Sequence, residues 1–354
     1  MKKRFKKLRE KRAFKKEEKE QGSVPRITNE NVAARREEVL SGARKYIYPL
    51  QHSKHRIVML STTLAIVTVL VFTTVSVILF YRQQTTSQFM YQVSKVIPFP
   101  IARIGNTLIA YENYLFELRH YIHYYETQQQ LSFESESGRD QLAGYKKRAL
   151  DDVINLAYIK KLAAELDVSV SAAEIDEQIR IAREQNRLGS DDAIFEDVLR
   201  NYWDWSVEDF RRSLYNELLT QKVTVALDPE TEARAQEALA KLNSGADFAE
   251  IVKEYSDEEP TKDAGGEFGE VGASNRNVSQ QTVDTLLKLE QGQHSKVTVI
   301  PYQTGYALEI VKNLEDKDST ARGAHIIFRL KDISETLNDR KEQRPYRVCI
   351  TLPE

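Results

Sequence analysis

Apolar residues are distributed along this chain in three patterns. The first is a continuous run from Ile57 to Tyr81 that contains no charged side chain. As a helix it measures about 37 Å at 1.5 Å per residue, against a bilayer hydrocarbon core of about 30 Å. It reads as a single-pass transmembrane helix, since the stretch 1–56 before it is too long for the n-region of a signal peptide and no small-x-small cleavage site follows. The second pattern repeats every three or four positions and predicts helices. It carries Tyr111, Tyr114, Leu115, Leu118, Tyr121, Ile122 and Tyr125 in one segment. Leu150, Val153, Ile154, Ala157, Tyr158 and Leu162 follow in a second, after a polar break at 130–143. Ser171 to Glu174 has capping-box spacing ahead of Ile175, Ile179 and Ala182. Ser190 opens a short helix, and Ser206 to Asp209 opens one with Phe210, Leu214, Leu218 and Leu219. Asp228-Pro229 reads as an N-cap and first helical position for residues 230–242. The third pattern is short and strand-like, at Ile104, 267–272, 296–300, 306–312, 322–330 and 346–352.

Charge orients the span. Residues 1–56 carry 18 Lys/Arg against 7 Glu, a net of +11, so the remainder of the chain carries −13 to give the overall −2. Basic residues before a span hold that side in the cytoplasm, which predicts an inner N-terminus and an extracytoplasmic body in a cell membrane. Residues 1–19 alone contain 11 Lys/Arg. Such clusters neutralise phosphates, but their commoner role is topogenic, with attraction to anionic lipid heads. No nucleic acid is expected as a partner, and residues 57–81 are expected to contact lipid.

Cys349 is the sole cysteine, so no disulfide forms within the chain. The six histidines are scattered, and no zinc spacing, P-loop, dinucleotide fingerprint or Gly-x-Ser-x-Gly is present. Neither cofactor nor metal is expected. Beyond the tail and span, positions 82–354 leave room for two modest domains.

Residues Phe248 to Gly269 read FAEIVKEYSDEEPTKDAGGEFG. Phe248, Ile251, Val252 and Tyr255 form one apolar helical face, Ser256-Asp257 stops it, and Gly265, Gly266 and Gly269 open a strand. This stretch resembles the signature of parvulin-type peptidyl-prolyl isomerases. The family's first strand, with a His-Ile motif, is missing ahead of residue 228, where Lys222 to Ala226 lacks histidine. A similar segment stands at the other end, Arg322-Gly-Ala-His325-Ile-Ile-Phe-Arg-Leu330. Residues 228–354 are therefore read as a parvulin-like α+β domain with a small antiparallel sheet, circularly permuted so that 322–330 supplies the first strand. A truncated second repeat is the competing reading.

The order of parts in 95–227 resembles the N-terminal chaperone domain of SurA/PrsA/PpiD-type foldases. The resemblance rests on Ile104 to Asn106, Tyr111, Leu150 to Val168, Ser171 to Ile175 and Phe210 to Leu219. It implies an all-α chaperone domain. The dense aromatic stripe of Tyr111, Tyr114, Tyr121, Tyr125, Trp203 and Trp205 reads as a client surface, with ordinary core packing as the alternative for any single ring. For the second domain the resemblance implies His325 and Glu258 as catalytic residues, and Phe268, Leu287, Thr304 and Tyr306 as substrate-binding residues. Two departures stand against full activity: Ala307 replaces the last-strand histidine, and Asn275 to Thr282 lacks the family's Met and Phe for the proline ring. The sequence thus predicts a membrane-anchored extracytoplasmic foldase that binds unfolded or proline-containing polypeptides, with reduced or absent isomerase activity. The alternative is a non-catalytic scaffold holding one specific partner.

Overall fold

The computed structural model describes residues 27–47, 49–184, 191–275 and 277–352. The start of the basic tail, 1–26, and Ser190, where a short helix is expected to begin, lie outside the described residues. The chain divides into two units, 1–77 and 78–354. In the first, α1 (Asn29–Ile47) precedes α2 (Pro49–Val77). Residues His55–Arg82 form a helix long and apolar enough to cross a membrane by length and composition. Met59, Leu60 and Leu64 stay about two-thirds exposed, so this is not the packed helix of a globular core.

The second unit begins with a π-helical turn, Ile78–Arg82, and α3 (Gln88–Val96). A hairpin follows, β1 (Pro100–Ile104) and β2 (Thr107–Ala110), turned at Gly105 with φ +58°. The predicted helices come next: α4 (Tyr111–Thr127), α5 (Glu136–Glu165), α6 (Ala172–Glu184), α7 (Asp192–Trp203) and α8 (Val207–Ala226). Ser206 and Asp209 close a reciprocal capping box that starts α8. The core joins Tyr111, Tyr114, Leu115 and Leu118 of α4 to Val153, Ile154, Tyr158 and Leu162 of α5, with Leu219 and Val223 of α8.

This region departs from the all-α expectation. Its core also rests on a three-stranded sheet, ordered β2-β1-β7, in which β7 (Tyr346–Val348) is the C-terminal strand. The last stretch was expected within the domain 228–354, but Leu337 and Ile350 are buried in the helical core instead. The reason is an unpaired edge: β1 presents backbone groups that β7 satisfies, with Cys349 N–H adding a bond to Ile101 O at 2.8 Å.

The α+β part contains α9 (Pro229–Asn243), α10 (Phe248–Tyr255), the single turn α11 (Glu259–Lys262), β3 (Glu267–Gly272), α12 (Gln280–Leu286), β4 (Thr298–Tyr302), β5 (Gly305–Lys317) and β6 (Thr320–Arg329). After β6, α13 (Ile333–Gln343) leads back to β7. The sheet is antiparallel with order β3-β6-β5-β4, so the His325 segment is a central strand. Residues 222–226 lie in α8 and form no strand. Strand alternation sorts the side chains. Leu308, Ile310, Ala324, Ile326 and Phe328 pack with Ala235, Ala238, Phe248, Ile251 and Val252 of α9 and α10. Ala307, Glu309, Val311, Ala321, His325 and Ile327 alternate onto the opposite face, where the candidate site lies.

Candidate functional site

The segment Tyr255-Ser256-Asp257 clips the end of α10 to β6. Tyr255 is buried, and its hydroxyl donates to Glu237 at 2.6 Å. The Asp257 N–H donates to Ile327 O at 2.7 Å, and the Asp257 carboxylate accepts the Arg329 N–H at 2.9 Å. Arg234 completes the clip, 3.0 Å from the same carboxylate. Glu258, the next residue, is thereby delivered to the face of β6 that carries His325. The glycine pair fixes the other side of that strand. His325 N–H donates to Gly266 O at 2.9 Å, and a Cβ on Gly266, at φ +80°, would sit 2.3 Å from His325 O. Only glycine fits there.

His325 is 5 % exposed and both ring nitrogens face carboxylates. Nε2 lies 2.7 Å from Glu258 Oε2, and Nδ1 lies 2.8 Å from Glu309 Oε1. Glu309, on β5, is fully buried and accepts the Thr282 hydroxyl at 2.8 Å. Thr282 in turn lies 2.7 Å from the Ser279 hydroxyl. Thr261 and Tyr302 donate to Glu258 at 2.6 and 3.3 Å. Burial opposes charge on the imidazole, but the Glu258 and Glu309 carboxylates outweigh it and push His325 up to about 9. The hydrogen bond from His325 brings Glu258 down to about 2, against the upward pull of burial. At neutral pH the ring is an imidazolium donating from both nitrogens, with no lone pair left to accept a proton or hold a substrate donor. The surplus negative charge is spread over the hydroxyl donors of Thr261, Tyr302 and Thr282.

Apolar residues fill the space beside the ring. Phe268 packs with its ring centroid 4.8 Å from that of His325 and lies over Gly323, where a Cβ would meet the Phe268 ring at 2.4 Å and Leu286 at 2.8 Å. Ala307 is fully buried against Ile300, Ile327 and Tyr302.

The structure therefore brings together Glu258, His325 and Phe268. It does not bring in the other three expected substrate-binding residues. Leu287 is exposed past the end of α12, which turns Val283 and Leu286 inward. Thr304 is exposed in the β4–β5 turn. Tyr306 sits one residue out of phase with Ala307, so it packs on the α9–α10 face and donates to Glu217 of α8 at 2.9 Å. Sequence reasoning also missed Glu309. Its signal was a lone acid among Ala307-Leu-Glu-Ile-Val311, in phase with Ala307 on a strand otherwise buried on both faces.

Among the expected client-surface residues, Tyr111 and Tyr114 are fully buried and belong to the core. Tyr111 donates to Phe80 O at 2.9 Å. The others are half-buried. Tyr125 stacks on Tyr145 at 4.5 Å, with Tyr121 and Phe133 each 6.0 Å from Tyr145. Trp205 stacks between Phe116 and Trp203. What remains for a partner is this partly exposed aromatic ladder on α4 and α5, since Tyr111 and Tyr114 of the expected client surface belong to the core.

Residues 50–224 match the SurA-like N-terminal domain, and residues 218–315 match the PPIC-type PPIASE domain. The second match ends before β6, so His325 falls outside it. Foldase protein PrsA of Pediococcus pentosaceus is 32% identical over 92 residues, 26% of this chain and 30% of that protein. Foldase protein PrsA 4 of Bacillus cereus is 36% identical over 87 residues, 25% of this chain and 29% of that protein. The chain thus spans less than a third of these two relatives. A PrsA of Clostridium botulinum is 23% identical over 257 residues, covering 62% of this chain and 75% of that one. The crystal structure of PrsA from Streptococcus pneumoniae is similar over 59% of this chain and 79% of that chain at 18% identity, with a TM-score of 0.19.

Proposed function

We propose that this chain, which joins a SurA-like N-terminal domain to a PPIC-type rotamase domain as the PrsA foldases do, is a membrane-anchored extracytoplasmic foldase that binds unfolded polypeptides without isomerising proline efficiently. One observation carries the second half of this reading: both nitrogens of His325 are taken by carboxylates, the fully buried Glu309 and the partly buried Glu258. Lowering the X–Pro barrier of about 18–20 kcal/mol requires a dry pocket that holds the proline ring and stabilises the twisted amide. Here Phe268 lies on β6 where a ring would have to enter, and Thr282 spends its hydroxyl on Glu309. The rotamase module keeps the fold and turns its cleft into a charged, closed core.

The binding half rests on the aromatic ladder of Tyr121, Tyr125, Tyr145 and Phe133. Half-exposed rings bury large apolar area at small entropic cost and without a fixed polar pattern, since the Tyr121 hydroxyl is already given to Asp152, which suits varied unfolded segments. The permuted reading of the rotamase domain is supported by the central position of β6 and by a family match that stops short of it. The test is suppression of aggregation of a denatured client by the full chain in detergent. The reading expects suppression at near-stoichiometric ratios, equal for a proline-free client, and weakened several-fold by Tyr125→Ala with Tyr145→Ala. Binding confined to one folded partner would replace it with the scaffold reading.

A further inference from the structure

A second feature lies away from the rotamase cleft. Where the β1–β2 turn, α5 and the chain after α13 meet, a concavity of about 510 Å³ opens, lined by Arg103, Lys161, Arg344 and Arg347 beside Gly105 and Asn106. None of the described residues lining it is acidic. That runs against the composition, because the chain beyond residue 56 carries a net −13.

The cations are held close together by the fold. Arg103 and Arg347 are direct cross-strand partners in the β1–β7 register, and both are exposed. Like charges directly opposite on antiparallel strands destabilise the pair. Lys161 Nζ donates to Ile104 O at 3.3 Å, which aims it at the same mouth. The Tyr158 hydroxyl donates to Arg344 O, and Pro345 stiffens the following turn. Among the described residues, no carboxylate pairs with any of these four cations. Glu165, on the adjoining surface of α5, is engaged by Arg340 at 2.8 Å. The fold therefore maintains a repulsive cluster that a bound anion would relieve.

We propose that this concavity binds a phosphate group through Arg103, Lys161, Arg344 and Arg347. Three guanidinium forks and one ammonium match the several acceptor oxygens of phosphate better than the two of a single carboxylate. The space exceeds one phosphate ion, so it admits a phosphate ester, whether a lipid headgroup or a soluble one.

The experiment follows thermal unfolding of the full chain in nonionic detergent through Trp203 and Trp205 fluorescence. Inorganic phosphate is titrated at constant ionic strength against chloride. The proposal expects a saturable rise in Tm with phosphate, and apparent affinity weakened about tenfold by Arg103→Gln with Arg347→Gln. Without phosphate that variant should melt no lower than the native chain, since a repulsion is removed. Arg344→Gln, which leaves the backbone contacts intact, serves if the double variant fails to fold. Adding an anionic glycerophospholipid to the micelles separates the sources. Arginine-dependent displacement of inorganic phosphate identifies a headgroup, and its absence identifies a soluble phosphate. A shift reproduced by chloride, a shift indifferent to the arginines, or an equal shift with a glutamate-rich peptide overturns the proposal.

Discussion

Among single residues, His325 and the two acids that hold it, Glu258 and Glu309, govern how the sheet responds to pH. A ring raised to about 9 from 6.5 contributes stability that is complete below pH 6.5 and lost as pH rises through about 9. Glu258, lowered to about 2 from 4.5, contributes stability present above pH 4.5 and lost as pH falls through about 2. The sheet should therefore be most stable between about pH 4.5 and 6.5 with respect to this pair. Between pH 6.5 and 9.5 it should lose on the order of 3 kcal/mol. Hydrogen exchange of residues 305–329 in the full chain, corrected for intrinsic rates, measures this. His325→Gln should flatten the alkaline limb. A profile equally steep in that variant would place the titration elsewhere. Nor is the lost second histidine simply restorable, because Ala307 is fully enclosed by Ile300, Ile327 and Tyr302 and a larger side chain would overpack them.

At the element scale, the chain from Thr320 onward serves two cores. β6 is a central strand of the four-stranded sheet, while α13 and β7 complete the helical core. A chain ending after Lys331 should keep exchange protection in β5 and β6 but lose it on the edge of β1 that β7 covers, with β2 still pairing the other edge. A chain ending after Ser319 should lose protection in β3 and β5 as well. Equal loss in both truncations would contradict this division. Most of these elements were legible from the sequence. Helical spacing in α4, α5 and α8 and the Asp228-Pro229 start of α9 depend on local chemistry, which one sequence carries in full. The strand at 322–330 was legible because His325-Ile-Ile is distinctive. The destination of β7 was not, because strand pairing is a choice among edges and nothing within Tyr346 to Val348 names β1. The phase of Tyr306 and Leu287 was missed for a related reason. On a strand a one-residue offset reverses the face, and at a helix end it swings the side chain by about 100°, so burial decides which residue points inward.

At the scale of the whole molecule, the chain places a net +11 before an apolar helix and −13 after it. Protease added to intact cells should remove the body beyond about residue 82 and spare residues 1–56. Protection of the body would reverse the proposed orientation. In the proposed topology the half-exposed ladder of α4 and α5 would stand on the side where exported chains emerge, with the rotamase module as a companion whose cleft is filled from within.

The most direct test of this account is the prolyl isomerisation rate of a short unfolded peptide with the full chain in detergent at pH 7. With His325 fully engaged by Glu258 and Glu309, and Phe268 seated on Gly323, the rate should stay within about twofold of the uncatalysed reaction. Glu258→Ala and His325→Ala should leave it there. Rapid catalysis abolished by either substitution would show that the closed relay opens to substrate, and would contradict the central claim.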